Sequence, residues 1–122
     1  MLGGLFSNKS TAAVFVDYEH WYYGYKNIFA MRPNVEEWYK ELKEEYNVKS
    51  ITFFGDFHGS SIERDLERLE KLSKNVVHTA STKDGVDKDF TDFIILDAIY
   101  REAAKKNSPE VFIIFTGDAH FN

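Results

Sequence analysis

Three aspartates lie at or near the ends of the segments that are most typical of buried strands and of a long helix. Asp17 ends an apolar run, Asp118 follows the predicted strand 110–116 by two residues, and Asp92 lies in the first turn of the longest predicted helix. In an open parallel α/β sheet these positions meet at the carboxyl edge, where ligands bind. Carboxylates gathered there repel one another unless they hold a hard divalent cation. The three aspartates therefore indicate a Mg²⁺ or Mn²⁺ site and metal-assisted hydrolysis of a phosphodiester.

The segments between these aspartates alternate between strand and helix patterns. Strands are predicted over residues 11–17, 48–54, 76–80 and 110–116. Helices are predicted over residues 34–46, 61–73 and 90–106, with a further helix after the first strand that is broken near Gly24. This alternation predicts an α/β fold, with a parallel sheet of about four strands and helices on both faces.

The composition restricts the class of protein and its partners. The chain has 122 residues, enough for one domain, and residues 1–10 are predicted to be a flexible lead-in. The lack of cysteine excludes disulfides and thiolate metal sites and fits a reducing, cytoplasmic location. No apolar run approaches the ~18 residues that a membrane span needs. The net charge of −5 means that a polyanion needs a bound cation or local basic residues, for which Lys83 and Lys88 are the candidates.

Aromatic side chains are dense in the segment that follows Asp17. They are Tyr18, Trp21, Tyr22, Tyr23, Tyr25 and Phe29. One interpretation is core and interface packing, and the other is a surface on which nucleic-acid bases stack.

The acidic residue that the long helix contributes to the site has three candidates. Asp97 lies within an apolar run, where an unpaired charge is costly. Asp92 and Asp97 are five residues apart, or about 140° around a helix of ~3.6 residues per turn, so they cannot both point into one pocket. Asp89 and Asp92 are three residues apart and share a face more closely. Asp92 ranks first, and Asp89 and Asp97 remain open.

Three segments of the chain resemble the motifs of a known nuclease family. VFVDYEHW resembles the VDxxN motif that opens the NYN domains, KDGVDKDFTDFIILDAIY resembles their central acidic helix, and FIIFTGDAHF is similar to their SGDxDF motif. The resemblance implies a three-layer α/β/α, Rossmann-like fold of the PIN type and a Mg²⁺- or Mn²⁺-dependent endoribonuclease acting on RNA. It places Asp17, Asp92 and Asp118 as metal-binding and catalytic residues.

Two histidines depart from the family pattern. His20 replaces the asparagine of the first motif, and His120 replaces the second aspartate of the last motif. Our hypothesis is that both flank the metal pocket, where imidazole favours Mn²⁺ or softer ions. The alternative to an enzyme is a degenerate NYN domain that binds RNA or a protein partner without catalysis. A haloacid-dehalogenase-like phosphatase is disfavoured because it needs a second aspartate where Glu19 stands.

The family pattern usually continues beyond the last motif into a further helix and strand. The chain ends at Asn122, so the domain over residues 11–122 is expected either to be truncated at its C-terminal end or to be a short variant of the family, and truncation is preferred. An uncovered apolar face favours self-association, and a homodimer is therefore expected.

Overall fold

A four-stranded parallel sheet with helices on both faces forms the framework of the fold. The computed structural model of the chain describes residues 9–29, 33–57, 62–79 and 88–116. The elements in chain order are β1 (Thr11–Asp17), α1 (Tyr18–Phe29), α2 (Val35–Glu45), β2 (Asn47–Gly55), α3 (Glu63–Leu72), β3 (Asn75–His78), α4 (Lys88–Ala103) and β4 (Val111–Phe115). The strand order in the sheet is β3-β2-β1-β4. The predicted fold class is confirmed.

Strand β1 is an interior strand of this sheet. It pairs in parallel with β2 on one side and with β4 on the other. Residues 12–16 are at most 3% exposed. A strand that is flanked on both sides and covered on both faces must be apolar on both faces, which is why this segment is a continuous apolar run. Its carboxyl end, at Asp17, lies beside Phe54 near the end of β2.

Side chains of β1 alternate between two apolar cores, one on each face of the sheet. The larger core lies on the side of α1, α2 and α3, and the smaller core lies beneath α4. The buried residues of the larger core are Val14, Val16, Tyr18, Trp21, Tyr22, Val35, Ile51, Phe53, Phe57, Ile62 and Leu69. The buried residues of the smaller core are Ala13, Phe15, Phe54 and Ile95. The sheet with its two helix layers is therefore the predicted three-layer arrangement.

Helix α1 differs from its prediction. It runs without a break through Gly24, because the burial of its aromatic side chains outweighs the weak helix propensity of one glycine. Tyr18, Trp21 and Tyr22 are at most 5% exposed. These three aromatics therefore form core packing and not a base-stacking surface. The side chains of Tyr25 and Phe29 lie outside the described residues.

Helices α2 and α3 are tied to each other at the start of α2. The side-chain oxygen of Asn34 accepts the N–H of Glu37 at 3.1 Å and caps α2. From α3, Arg68 donates to the carbonyl oxygen of Pro33 at 2.5 Å, and its Nε lies 3.2 Å from Glu36 Oε2. These contacts hold α3 at a set position beside α2 on the face that carries the larger core.

Helix α4 is apolar on its outward side as well as on the side that contacts the sheet. Phe93 and Tyr100 are about two-thirds exposed, at 66% and 67%, and Leu96 is 46% exposed. In edge strand β4, Ile114 is 55% exposed. Large apolar side chains that are exposed next to one another commonly mark a surface that contacts a partner. Within the described ranges, no helix is both long and apolar enough to cross a lipid bilayer.

Candidate active site

Asp17 occupies the junction between β1 and α1. The strand ends at Asp17 and the helix begins at the next residue, with no loop between them. Oδ1 of Asp17 accepts the backbone N–H of His20 at 3.2 Å. An aspartate that accepts the N–H of the third helical residue is an N-cap. The other oxygen, Oδ2, accepts no hydrogen bond from the described residues.

The electrostatic environment of Asp17 disfavours its charged form. Burial raises the pKa of the Asp17 carboxyl above its ordinary value. The carboxylates of Glu19 and Asp92 raise that pKa further, whereas the backbone N–H and the imidazole of His20 lower it. At neutral pH the ionised carboxylate of Asp17 therefore lowers the stability of the folded protein, and a bound cation would offset this effect.

Asp92 approaches Asp17 from the opposite layer of the fold. It lies near the start of α4, which covers the face of the sheet opposite α1. Asp92 is exposed, and its charge is close enough to raise the pKa of the Asp17 carboxyl. The charge of one of the two other predicted site aspartates thus acts on Asp17 at the carboxyl edge of the sheet, as the smallest of the contributions to its raised pKa.

The other two acidic candidates from the long helix are Asp97 and Asp89. Asp97 accepts a hydrogen bond from Nε of Arg101 at 2.8 Å, in an ion pair whose two side chains are 62% and 79% exposed. The apolar run around Asp97 therefore does not bury it. Asp89 and Lys88 belong to α4 by their backbone, but their side chains lie outside the described residues. Lys83, Asp118 and His120 also lie outside the described residues.

Glu19 joins the ends of β1 and β2 and was not among the predicted site residues. Its Oε1 accepts the backbone N–H of Asp56 at 2.8 Å. The neighbouring Gly55 leaves room for the ring of Phe57, because a Cβ at Gly55 would lie 3.2 Å from that ring, whereas it would meet Cβ of Glu19 at an ordinary contact distance of 3.5 Å. The available signal was a glutamate in the first turn of a helix, two residues after a strand-end aspartate.

Asp65 is a second residue that was not among the predicted site residues. It is 1% exposed in the first turn of α3, and its Oδ2 accepts the hydroxyl of Tyr18 at 2.5 Å. The helical period carried a signal, since Asp65 lies three residues after Ile62 and four before Leu69 on the apolar face of α3. A polar residue on such a face requires a buried partner.

The donor set at this edge fits a hard cation. Carboxylate oxygens suit Mg²⁺ and Mn²⁺, and Mg²⁺ is commonly held by only one or two carboxylates together with water and substrate phosphates. Asp17 and Asp92 are the two described carboxylates that could take this part. In the part of the chain that the structure describes, no group of three or more His, Asp or Glu side chains could hold a metal ion.

The family model of the NYN domain matches residues 11–122. The chain belongs to the NYN domain family. NYN domains are PIN-like nucleases, so the predicted family is confirmed. NYN domains typically bind RNA and generally use divalent metals.

A solved structure supports the fold of this NYN domain. It is the crystal structure of a protein of unknown function from Vibrio parahaemolyticus, with a TM-score of 0.65 and 20% sequence identity. The match covers 93% of this chain and 70% of that chain. At this identity the likeness shows the fold alone. No curated protein matches the chain.

Proposed function

We propose that this NYN domain is a metal-dependent endoribonuclease that hydrolyses phosphodiester bonds at the carboxyl edge of its sheet. The observation that carries the proposal is the state of the Asp17 carboxyl at the end of β1, where burial raises its pKa and the carboxylates of Glu19 and Asp92 raise it further. Holding Asp17 partly buried beside a second carboxylate is unfavourable unless a cation binds there. Membership of a PIN-like nuclease family supports the same reaction class.

The proposed roles extend the resemblance to the NYN motifs, and for Asp17, Asp92 and His20 they are also consistent with their described surroundings. Asp17, Asp92 and Asp118 bind the cation, which when bound would polarise a phosphoryl oxygen and lower the pKa of an attacking water. His20, exposed next to Asp17, contacts phosphate, water or the metal, and we assign His120 the same role. Lys83 and Lys88 contact the RNA backbone. These contacts would offset part of the repulsion between RNA and a chain of net charge −5.

The second candidate function is a regulatory module that binds RNA or a protein without cleaving it. The observation that favours it is the histidine at position 20, in place of the family's asparagine. Imidazole is a poorer ligand than an amide or carboxylate oxygen for a hard cation, so the site would bind Mg²⁺ weakly.

A nuclease assay separates the two functions. Single-stranded and structured RNA would be incubated with the chain in Mg²⁺, in Mn²⁺ and in chelator, with Asp17→Asn as the matched inactive variant. We expect cleavage that needs the metal and is lost in Asp17→Asn. Equal cleavage by both proteins would be background and would contradict the enzyme. RNA retention without cleavage would support the binding module.

We also propose that a second copy of the chain covers the outward side of α4. Phe93, Leu96 and Tyr100 recur at intervals of three and four residues and form one exposed apolar stripe. Asp97 and Arg101 border the stripe with opposite charges. Across a two-fold axis, an antiparallel second helix would place each Asp97 near the partner's Arg101, so the surface is complementary to itself.

The lack of cysteine supports a cytoplasmic location.

A further inference from the structure

We infer that Asp65 is a positioning residue, which acts through the hydroxyl of Tyr18 to hold Asp17 at the carboxyl edge of the sheet. The inference rests on the proposed function, because it gives the position of Asp17 a role in metal binding. Asp65 is 47 residues away from Tyr18 in sequence and belongs to a different helix. Its carboxylate lies inside the larger core and therefore cannot touch an RNA substrate itself.

The ring of Tyr18 is packed among other aromatic side chains. Tyr18 is fully buried, with its ring stacked on Phe57 at a centroid distance of 6.3 Å and an interplanar angle of 24°. Phe53 meets the same ring edge-on at 6.2 Å and 89°. Such contacts fill the space around a ring, but they allow small sliding and rotation because dispersion has little directionality. A hydrogen bond at the end of the ring removes that freedom.

The Tyr18–Asp65 hydrogen bond supplies this directional restraint. The hydroxyl donates to Oδ2 of Asp65 at 2.5 Å, and Asp65 is the single buried charged side chain among the described residues. The first turn of α3 favours a carboxylate, since the amide groups of a helix N-terminus are electropositive. The bond therefore connects the start of α1 to the start of α3.

Stability alone does not account for this pair. Replacing a buried polar pair by apolar groups of similar shape is often neutral or stabilising, so an apolar pair would serve the core equally well. What an apolar pair cannot supply is one fixed position of the Tyr18 ring. That position reaches the site directly, because Tyr18 follows Asp17 and the carboxylate of Asp17 accepts the N–H of His20 in the same helical turn.

The experiment compares variants by two independent measurements. The Tyr18→Phe, Asp65→Leu double variant removes the hydrogen bond while keeping the core apolar, and Asp65→Asn keeps an oxygen that accepts the Tyr18 hydroxyl. Leu69→Ala, in the same helix and equally buried, is a control for lost stability. The first measurement is amide hydrogen exchange of His20 in the metal-free protein, which reports the Asp17 cap. The second is Mn²⁺ affinity by calorimetry, at a temperature where every variant is folded.

We expect the double variant to exchange the His20 amide roughly fivefold faster, as when a helix cap is weakened. We also expect it to bind Mn²⁺ about tenfold more weakly, at the lower end for outer-shell partners of a metal ligand. Asp65→Asn should match the wild type in both, and Leu69→Ala should change neither. Unchanged His20 exchange in the double variant, or faster exchange with unchanged Mn²⁺ affinity, overturns the inference. Absence of Mn²⁺ binding by the wild type would instead refute the proposed function. In that case the exchange rate of the His20 amide would by itself test whether Asp65 positions Asp17.

Discussion

The carboxylate of Asp17 accepts the backbone N–H of His20 at 3.2 Å, and this contact makes the proposed metal ligand the N-cap of α1 as well. A helix cap and a metal ligand are usually alternative explanations of a strand-end aspartate. In the proposed site the two roles are compatible, because Oδ1 accepts the N–H and Oδ2 accepts no hydrogen bond from the described residues.

The charge of Asp17 should destabilise the metal-free protein at neutral pH. Asp17→Asn removes the partly buried charge and keeps a side chain that caps helices well, so we expect a higher free energy of unfolding in urea. Asp97→Asn, which removes an exposed carboxylate, should stay within ~0.5 kcal/mol of the wild type. Mn²⁺ should then stabilise the wild type and not Asp17→Asn. A less stable Asp17→Asn in chelator would contradict this prediction.

Stability should also depend on pH through the same carboxyl. Since burial raises the pKa of Asp17 in the folded state, the folded protein binds this proton more tightly than the unfolded chain does. Stability is therefore lost as pH rises from about 4, the ordinary carboxyl pKa, through the raised pKa of the folded state. The difference in unfolding free energy between Asp17→Asn and the wild type should follow this trend, growing with pH and then levelling off. A difference that stays constant between pH 3 and pH 7 would be inconsistent with a raised pKa.

The two exposed acids of α4 form a matched pair for testing the site. Asp92→Asn should lower metal-dependent RNA cleavage by about 100-fold or more, since even outer-shell partners of a metal ligand contribute ~10–100-fold. Asp97→Asn should leave the cleavage rate close to that of the wild type, because Asp97 pairs with Arg101. Initial rates in Mn²⁺ would measure both. Equal losses in the two variants, or a loss confined to Asp97→Asn, would refute the assignment of Asp92.

Glu19 should stabilise the edge of the sheet through its bond to the backbone of Asp56. Glu19→Ala leaves that half-buried N–H without its acceptor, so the free energy of unfolding should fall by about 1–2 kcal/mol. Glu19→Gln keeps an acceptor oxygen at the same reach and should lose less than half as much. Urea denaturation compares the three proteins. Equal destabilisation by the two substitutions would mean that the negative charge of Glu19, and not this hydrogen bond, matters.

The apolar stripe on α4 should mediate self-association. Leu96→Glu introduces a charge at the centre of the stripe, so the dimer should dissociate to a monomer in light scattering at high concentration. Lys40→Glu places the same residue on the exposed side of α2 and should leave the dimer intact. A wild-type monomer at the highest soluble concentration would rule out the second copy as the occupant of this surface.

Local pattern determined most of the elements. The apolar run of β1 predicts its strand to the residue, because a strand covered on both faces needs little more than continuous hydrophobicity. The break predicted at Gly24 was wrong, because contacts distant in sequence outweigh the local helix propensity there. A glycine costs a helix about 1 kcal/mol, whereas burial of Tyr18, Trp21 and Tyr22 contributes several times that. The local sequence pattern shows the helix-propensity cost of the glycine, but it does not show how deeply the three aromatic side chains are buried.

The sequence by itself determined that this NYN domain has a strand-end aspartate at position 17 and acidic residues on a long helix. How two of those acids are placed was decided by tertiary structure, since the charge of Asp92 acts on the Asp17 carboxyl whereas Asp97 pairs with Arg101 in its own helix. The sequence indicated a buried position for Asp65 through the helical period, but it did not indicate that Tyr18 is the partner. The bond between them joins two helices that meet only because both pack on the same face of the sheet, and no local spacing encodes such a meeting.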